Sequence, residues 1–286
     1  MKINGTTKIY GLIGNPVAHS LSPLLHNFLA EKMGHNLVYA AYPVDDGEVG
    51  KAIHGAYALG FSGLNVTIPF KSAVIPFLKD IDPVALSIGA VNTLVRSEDG
   101  FIGYNTDNIG LFRTFESEGI DIKGADVVIL GAGGAARAAA LLCREKKASR
   151  VFILNRSIEK AVKLANNMNE LTNTNCLTGM GLSDFAKLPG NNLIAIQSTS
   201  VGMFPNQGEC LIDDVAFYRR IKFAVDMIYN PDETTFMKMV TKNGGQAVNG
   251  LKMLLYQGVA AYELWNKATV PDEYIAEVYG LCKTSS

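Results

Sequence analysis

A lysine and an aspartate are the residues whose types and positions best suit acid–base chemistry in this chain. Lys71 follows the apolar stretch GLNVTIPF (63–70), and Asp107 lies in the segment YNTDN. A lone lysine is usually a solvated cation. A carboxylate that meets it in a cleft can orient the ammonium group and hold it charged, which suits proton transfer. The sequence therefore makes Lys71 and Asp107 a candidate acid–base pair.

Histidine is the competing acid–base group. All four histidines fall in the first fifth of the chain, at positions 19, 26, 35 and 54. His19 lies in a loop, where substrate contact and bracing of the loop are equally open. His26 falls inside a helical pattern, which favours packing over catalysis.

Polar residues interrupt or end several apolar, strand-like segments. Asparagine and threonine are poor members of an apolar strand, so their placement there indicates a ligand. Together they would line a pocket for a polyhydroxylated molecule. The set comprises Asn65, Thr67, Asn92, Thr106 and Asp107.

Further polar residues extend this candidate site. Ser20 and Ser22 follow the first strand pattern, where two hydroxyls beside a helix N-terminus suit a carboxylate. Helix capping would explain Ser22 but not Ser20. Gln257, on an otherwise apolar helix, either braces a core or reaches a ligand. Tyr229, in DMIYNP, closes a strand pattern and could face the same cleft.

A glycine-rich loop, GAGGA, lies between an apolar strand pattern and an alanine-rich helix pattern. Gly131 permits a tight turn, Gly133 lets the backbone approach a pyrophosphate, and Ala136 lets helix and strand pack closely. The helix N-terminus adds free N–H groups and a partial positive charge. This predicts a dinucleotide site whose loop residues are Gly131, Ala132, Gly133, Gly134 and Ala135.

The next strand pattern, RVFILN, ends where such folds usually carry an acid for the ribose 2′-hydroxyl. Here Asn155 is followed by Arg156 and Ser157, with Lys160 one turn later. An acid would repel a 2′-phosphate, whereas this neutral and cationic set would attract it. The sequence favours NADP over NAD, with NAD use left open.

Alternating strand and helix patterns position these residues and predict an α/β protein. Lys8–Gly14 reads as a buried strand, followed by a helix with Ser22 as its N-cap. A hairpin around Asp99 and Gly100 makes the first sheet mixed. Two later strand–helix repeats predict a Rossmann-type domain. We expect a substrate-binding domain at 1–106, a dinucleotide-binding domain at 107–246 and C-terminal helices at 247–286.

Composition excludes several function classes. The 286 residues are 48% hydrophobic and 19% charged with a net charge of −1, which offers no basic field for nucleic acid. No apolar run predicts a membrane span or a secretory signal, so we expect a cytoplasmic protein. Four cysteines without a CxxC pair predict free thiols and no zinc site. We expect a small-molecule substrate and a monomer or homodimer.

These motifs together resemble the shikimate dehydrogenase family, including its quinate/shikimate branch. GNPVAHSLSP, GLNVTIPFK, GAVNTL, GYNTD, GAGGAARA, NRSIEKA, TSVGMFP, DMIYNP and GLKMLLYQG fall in the order of the family, almost end to end. The resemblance implies reversible, NADP-linked reduction of 3-dehydroshikimate to shikimate. It also implies that the C-terminal helices pack back on the first domain.

The resemblance assigns roles residue by residue. Ser20 and Ser22 would hold the carboxylate, and Lys71 with Asp107 would form the catalytic pair. The ring hydroxyls would meet Asn65, Thr67, Asn92, Asp107 and Gln257, with Tyr229 also at the substrate. Thr199, Met227 and Gly250 would join the glycine loop and Asn155, Arg156, Ser157 and Lys160 as cofactor contacts.

The sequence differs from the family pattern at two places, and two alternative functions remain open. The family usually has Asn-Ala where this chain has Gln197-Ser198, near the nicotinamide half of the cofactor, and often has arginine where Lys160 stands. One rival is a quinate/shikimate dehydrogenase that uses NAD. A rival of another class is a non-catalytic dinucleotide-binding sensor, which would not need the Lys71–Asp107 pair.

Overall fold

The computed structural model describes residues 3–285 and divides into two compact units. The first unit comprises the residues up to Gly110 together with Leu254–Ser285, and the second comprises Leu111–Met253. Both divisions fall inside helices, Asp107–Ser117 and Leu251–Asn266. Each unit contains its own six-stranded sheet.

The elements before the first division are short and alternate between strand and helix. They are β1 Lys8–Gly14, α1 Ser22–Lys32, β2 Leu37–Pro43, α2 Val49–Ala58, β3 Gly63–Val66, β4 Asp80–Ile81, α3 Pro83–Ile88, β5 Thr93–Ser97 and β6 Gly100–Tyr104. The elements that follow are α4 Asp107–Ser117, β7 Asp126–Leu130, α5 Gly134–Glu145, β8 Arg150–Asn155, α6 Ile158–Thr172, β9 Leu177–Gly181, β10 Leu193–Gln197, α7 Val215–Tyr218, β11 Ile221–Asp226, α8 Thr235–Lys242, β12 Gln246–Val248, α9 Leu251–Asn266 and α10 Asp272–Ser285.

The sheet of the first unit has the strand order β2-β1-β3-β5-β6-β4. β1 pairs in parallel with β2 and β3, whereas β5 runs antiparallel to both β3 and β6. The predicted mixed sheet and its hairpin are confirmed. Asn65 lies on β3 opposite Thr93 on β5, so this central pairing brings two polar side chains close together.

The sheet of the second unit is parallel throughout, with the order β9-β8-β7-β10-β11-β12. This is the strand order of dinucleotide-binding folds, and the point where it reverses lies between β7 and β10. β7, β8 and β10 are almost wholly buried because helices cover both faces of a parallel sheet. The predicted Rossmann-type domain is confirmed.

From Leu254 onward the C-terminal helices belong to the first unit, where they pack against its sheet and its first helix. A Cβ on Gly258 of α9 would stand 3.1 Å from the Leu25 side chain of α1, so the glycine permits close helix packing. Trp265 is buried, donates from its indole nitrogen to the Leu94 carbonyl over 2.9 Å, and lies with its ring centroid 4.8 Å from that of Tyr10. The expected return of these helices to the first domain is confirmed.

The predicted N-cap of α1 is wrong. Leu21 occupies that position, and Ser22 is the first residue of the helix. The Ser20 hydroxyl oxygen accepts the Ser22 N–H over 3.2 Å. The oxygen that satisfies this free donor therefore comes from the earlier serine, which allows the helix to begin at Ser22.

Candidate active site

The structure brings Lys71 and Asp107 together. The Lys71 ammonium donates to Asp107 Oδ2 over 2.7 Å, with 23% of the lysine side chain and 5% of the aspartate side chain exposed. Asp107 begins α4, where the partial positive charge of a helix N-terminus also favours a carboxylate. The pair is thus a largely desolvated ion pair with one partly open partner, the lysine.

Asn92 fixes the other side of this carboxylate. Its side-chain nitrogen donates to Asp107 Oδ1 over 2.8 Å and to Thr106 Oγ1 over 3.1 Å. Its oxygen accepts the Thr106 backbone N–H over 2.8 Å. Gln257 Oε1 lies 3.5 Å from the same nitrogen. Asn92 is 2% exposed, so it holds both Asp107 and the start of α4 in a fixed position.

Asn65 is held from three directions by the first unit. Its amide nitrogen donates to the Asn92 carbonyl and to Thr93 Oγ1, each over 3.1 Å. Its oxygen accepts the Tyr39 hydroxyl over 2.8 Å. The protein uses both amide protons, so a ligand would meet the remaining lone pair of the oxygen.

Tyr39 is a residue of this site that the sequence did not indicate. It is 2% exposed on β2, and burial raises its pKa well above the usual value, with the Ser22 side chain opposing that shift. The Asn27 amide both donates to the Tyr39 carbonyl and accepts its N–H. Tyr39 therefore lies in a rigid setting between Ser22 and Asn65, two of the predicted substrate residues.

The other predicted substrate residues differ in placement. Ser20 and Thr67 are half-buried, and Ser22 is buried. Thr67 packs tightly after β3, where a Cβ on Gly14 would stand 2.3 Å from its methyl group. Tyr229 is half-buried in the second unit, in the segment after β11, unlike the rest of the set.

The two competing histidines are in different environments. His19 is exposed. His26 is 1% exposed and stacks on Tyr39 with ring centroids 4.3 Å apart. Neither of its ring nitrogens has a hydrogen-bond partner among residues 3–285. Burial lowers its pKa to about 3. His26 is neutral at physiological pH and does not serve as a proton donor there.

The glycine loop connects β7 to α5. Gly131 has a φ of +114°, and a Cβ on it would stand 2.7 Å from Ser198 Oγ and 2.8 Å from the Thr199 methyl group. Gly133 is the N-cap of α5, and no atom lies within 4 Å of the place of its missing Cβ. This open backbone beside a twelve-residue helix fits a dinucleotide pyrophosphate.

The end of β8 presents the predicted 2′-phosphate residues. Arg156 and Lys160 are exposed, and Asn155 donates to the Ser157 carbonyl over 3.0 Å. Ser157 is the N-cap of α6 and lies 2.7 Å from the Glu159 carboxylate, to which its hydroxyl donates. This hydrogen bond lowers the pKa of Glu159. The sequence reasoning missed this acid, which adds one negative charge beside two cations.

The ends of β10 and β11 carry the remaining predicted cofactor residues. Thr199 and Met227 are half-buried, and Gly250 is buried. A Cβ on Gly250 would stand 2.2 Å from the Met227 carbonyl oxygen, so only glycine fits there. Asp226 accepts from the Thr234 hydroxyl and the Ile228 N–H, and burial raises its pKa to about 6. These bonds fix the segment that follows β11.

Membrane-spanning helices and clusters of metal-binding side chains are both absent from the described residues. No helix within residues 3–285 is long and apolar enough to cross a membrane. Across the same residues, histidine, cysteine, aspartate and glutamate side chains form no group of three or more that could hold a metal ion.

Family comparisons match three parts of the chain. Residues 12–94 match the shikimate dehydrogenase substrate binding domain, residues 114–201 the shikimate/quinate 5-dehydrogenase family, and residues 250–278 the shikimate 5′-dehydrogenase C-terminal domain. The chain is 38% identical to the shikimate dehydrogenase (NADP(+)) of Moorella thermoacetica, over 98% of this chain and 96% of that one.

Solved structures are also similar. Shikimate 5-dehydrogenase of Thermus thermophilus, in complex with NADP(H) and shikimate, superimposes with a TM-score of 0.85 at 29% identity, over 98% of this chain and 100% of that one. Shikimate 5-dehydrogenase of Listeria monocytogenes, in complex with shikimate and NAD, gives a TM-score of 0.86 at 33% identity, over 97% of this chain and 98% of that one.

Proposed function

The chain belongs to the shikimate dehydrogenase family, and we propose that it catalyses the reversible, NADP-linked reduction of 3-dehydroshikimate to shikimate. The observation that carries this proposal is the Lys71–Asp107 ion pair, held by Asn92 among polar side chains of the first unit. A dinucleotide-binding sensor would have no use for such a pair.

The proposed mechanism gives Lys71 the proton-transfer role. Lysine has three N–H groups, and the 2.7 Å bond to Asp107 uses one of them. In the reductive direction a second N–H donates to the ring carbonyl oxygen and delivers the proton as that oxygen becomes a hydroxyl. In the oxidative direction the amine takes the proton back. Asp107 stabilises the charged form of the lysine, before the proton is delivered in reduction and after it is taken up in oxidation.

The remaining proposed roles are those that the family resemblance implies. Ser20 and Ser22 would bind the carboxylate, and Asn65, Thr67, Asn92 and Gln257 would bind ring hydroxyls, with Tyr229 as a further substrate contact. The bound nicotinamide cofactor would supply the hydride as NADPH in reduction and would accept it as NADP+ in oxidation. The glycine loop, Arg156 and Lys160 would bind its phosphates, with Asn155, Ser157, Thr199, Met227 and Gly250 as further contacts.

A four-way assay tests the function. Purified protein is given shikimate or quinate, each with NADP or NAD, and the appearance of reduced nicotinamide is followed by its near-ultraviolet absorbance. We expect the highest kcat/KM with shikimate and NADP. Faster turnover of quinate with NAD would replace the proposal by its nearest rival, and no turnover in any arm would contradict it.

Replacing Tyr39 by phenylalanine tests the substrate side of the proposal. The change removes the hydroxyl that donates to Asn65 over 2.8 Å. One such bond contributes about 1 kcal/mol, so we expect the KM for shikimate to rise roughly fivefold. The KM for NADP should stay unchanged.

Tyr10→Phe is the matched control for this variant. Tyr10 is also 2% exposed and lies on the neighbouring strand β1, with its ring against Trp265. Steady-state kinetics of both variants give the comparison. An equal rise in the shikimate KM in both, or none in Tyr39→Phe, would remove Tyr39 from the substrate site.

The cellular compartment and the oligomeric state are further parts of the proposal. All four cysteines are free, which supports a reducing compartment such as the cytoplasm. For the assembly we propose a monomer or homodimer, which light scattering of the purified protein would distinguish from larger oligomers.

A further inference from the structure

Gln197 is a fully buried amide at the end of β10. Its side chain is 2% exposed in a strand whose other members are all apolar. A buried amide is costly unless its donors and its acceptor are all bonded. The partners of this amide therefore show what the residue stabilises.

Every bond of the Gln197 amide goes to the loop that follows it. Its oxygen accepts the Thr199 N–H over 2.6 Å. Its nitrogen donates to the Thr199 carbonyl over 3.2 Å and to the Val201 carbonyl over 3.1 Å. Thr199 Oγ1 in turn accepts the Val201 N–H over 3.2 Å. The loop 199–201 is thus folded around one side chain.

This loop touches the glycine loop. The neighbouring Ser198 donates from both its N–H and its hydroxyl to the Leu130 carbonyl, over 3.0 and 2.7 Å. The Thr199 methyl group occupies the space beside Gly131. A change in the shape of the loop would therefore alter the side of the glycine loop that faces β10.

The Gln197 backbone also holds the next strand end. Its carbonyl accepts the Met227 N–H over 2.9 Å, and the Met227 carbonyl packs against Gly250. Thr199, Met227 and Gly250 are the three predicted cofactor residues outside the glycine loop and the β8 end. All three are fixed, directly or through one neighbour, to residue 197.

Strand order indicates which half of the dinucleotide this region receives. β8, with Arg156 and Lys160 after it, lies on one side of β7, and β10 lies on the other. A dinucleotide bound across the reversal of strand order places its two nucleotides on opposite sides of the glycine loop. With the 2′-phosphate half at β8, the nicotinamide half lies at β10 and β11.

We propose that Gln197 is a positioning residue that holds the Thr199–Val201 loop in the shape required by the nicotinamide half of the cofactor. This inference rests on the proposed function, because it takes the bound dinucleotide to be NADP. The proposal gives Gln197, which stands where the family usually has asparagine, a role in cofactor binding. The side chain acts through the loop and does not itself contact the cofactor.

Calorimetric titration of Gln197→Met with two ligands tests the proposal. Methionine keeps the length of the side chain and loses all three loop bonds. We expect the Kd for NADP to rise about tenfold, equivalent to about 1.4 kcal/mol. The Kd for adenosine 2′,5′-bisphosphate, which lacks the nicotinamide half, should change less than about twofold, well below that tenfold step.

Three further variants complete the experiment. Gln197→Asn keeps donors and acceptor on a shorter side chain and should give an intermediate Kd for NADP. Gln197→Glu keeps the accepted bond and loses both donated ones, and it replaces the methionine variant if that chain does not fold. Gln246→Met, at an exposed position on β12, is the matched control and should bind both ligands as the unsubstituted protein does.

Two results would overturn the proposal: an unchanged Kd for NADP in a folded variant that lacks the donated bonds, or equal weakening of both ligands, which would indicate general damage to the second unit. Failure of the proposed function is separate. A protein that binds NADP but does not oxidise shikimate would contradict the proposed reaction. The two Kd values would still test the role of Gln197, because they do not depend on turnover.

Discussion

Lys71→Ala should lower kcat for shikimate oxidation by about 10²–10⁴-fold, the usual contribution of a positioned acid or base. The variant removes the only side chain that donates to Asp107 Oδ2 among the described residues, while Asn92 still holds Oδ1. The Kd for NADP should hardly change, since the proposed cofactor residues lie in the second unit. Steady-state kinetics with a separate titration of NADP would measure both effects.

The surface pair Lys79–Asp99 provides the control for this prediction. Lys79→Ala removes the same side chain from an ion pair of 3.4 Å in the first unit, with 53% of the lysine exposed. Exposed pairs contribute little, so its kcat should match that of the unsubstituted protein. Lys71→Met keeps more of the lysine side-chain volume and separates loss of charge from loss of packing. A Lys71→Ala protein that kept most of its kcat would remove the lysine from the mechanism.

Arg156→Gln should reduce kcat/KM for NADP roughly 10-fold to 100-fold and leave kcat/KM for NAD nearly unchanged. A charge-assisted hydrogen bond to a phosphate contributes about 1.5–3 kcal/mol, and the lost arginine would have made it to the 2′-phosphate. Lys160 would keep part of the attraction, while Glu159 opposes it. The ratio of the two kcat/KM values measures the change in cofactor preference.

Arg150→Gln makes the same change of charge at the opposite end of β8. Arg150 is the first residue of β8, is half exposed and pairs with Asp126 of β7, so it lies at the other end of β8 from the proposed phosphate site. Its kcat/KM for NADP should stay within about twofold of the original. Equal losses in both variants, or equal losses for NADP and NAD, would indicate a general field effect and contradict the assignment of Arg156.

Much of the fold could be predicted because its signals are local. A few consecutive residues are enough to indicate the glycine loop, the hairpin around Gly100 and the polar residues at strand ends. β9 and β12 carry no such local signal, because LTGMG and QAV have little apolar pattern and lie at the edges of their sheet.

The parts of the site that sequence could not supply depend on partners far apart in the chain. Tyr39 reads as an ordinary member of a buried strand, and only the pairing of β1 with both β2 and β3 brings its hydroxyl to Asn65. Gln197 stood out as a departure from the family, yet its role depends on how the loop after it turns back. In both cases the residue type was visible and its hydrogen-bond partners were not.

The setting of Trp265 gives this protein an optical reporter. It is the single tryptophan of the chain, it is 8% exposed, and it lies within the first unit among Tyr10, His26 and Tyr39. Its fluorescence emission should therefore be blue-shifted and should report on the first unit alone, whereas circular dichroism reports on both units. Denaturation followed by the two signals would separate the unfolding of the unit that carries Lys71 from that of the unit that carries the glycine loop.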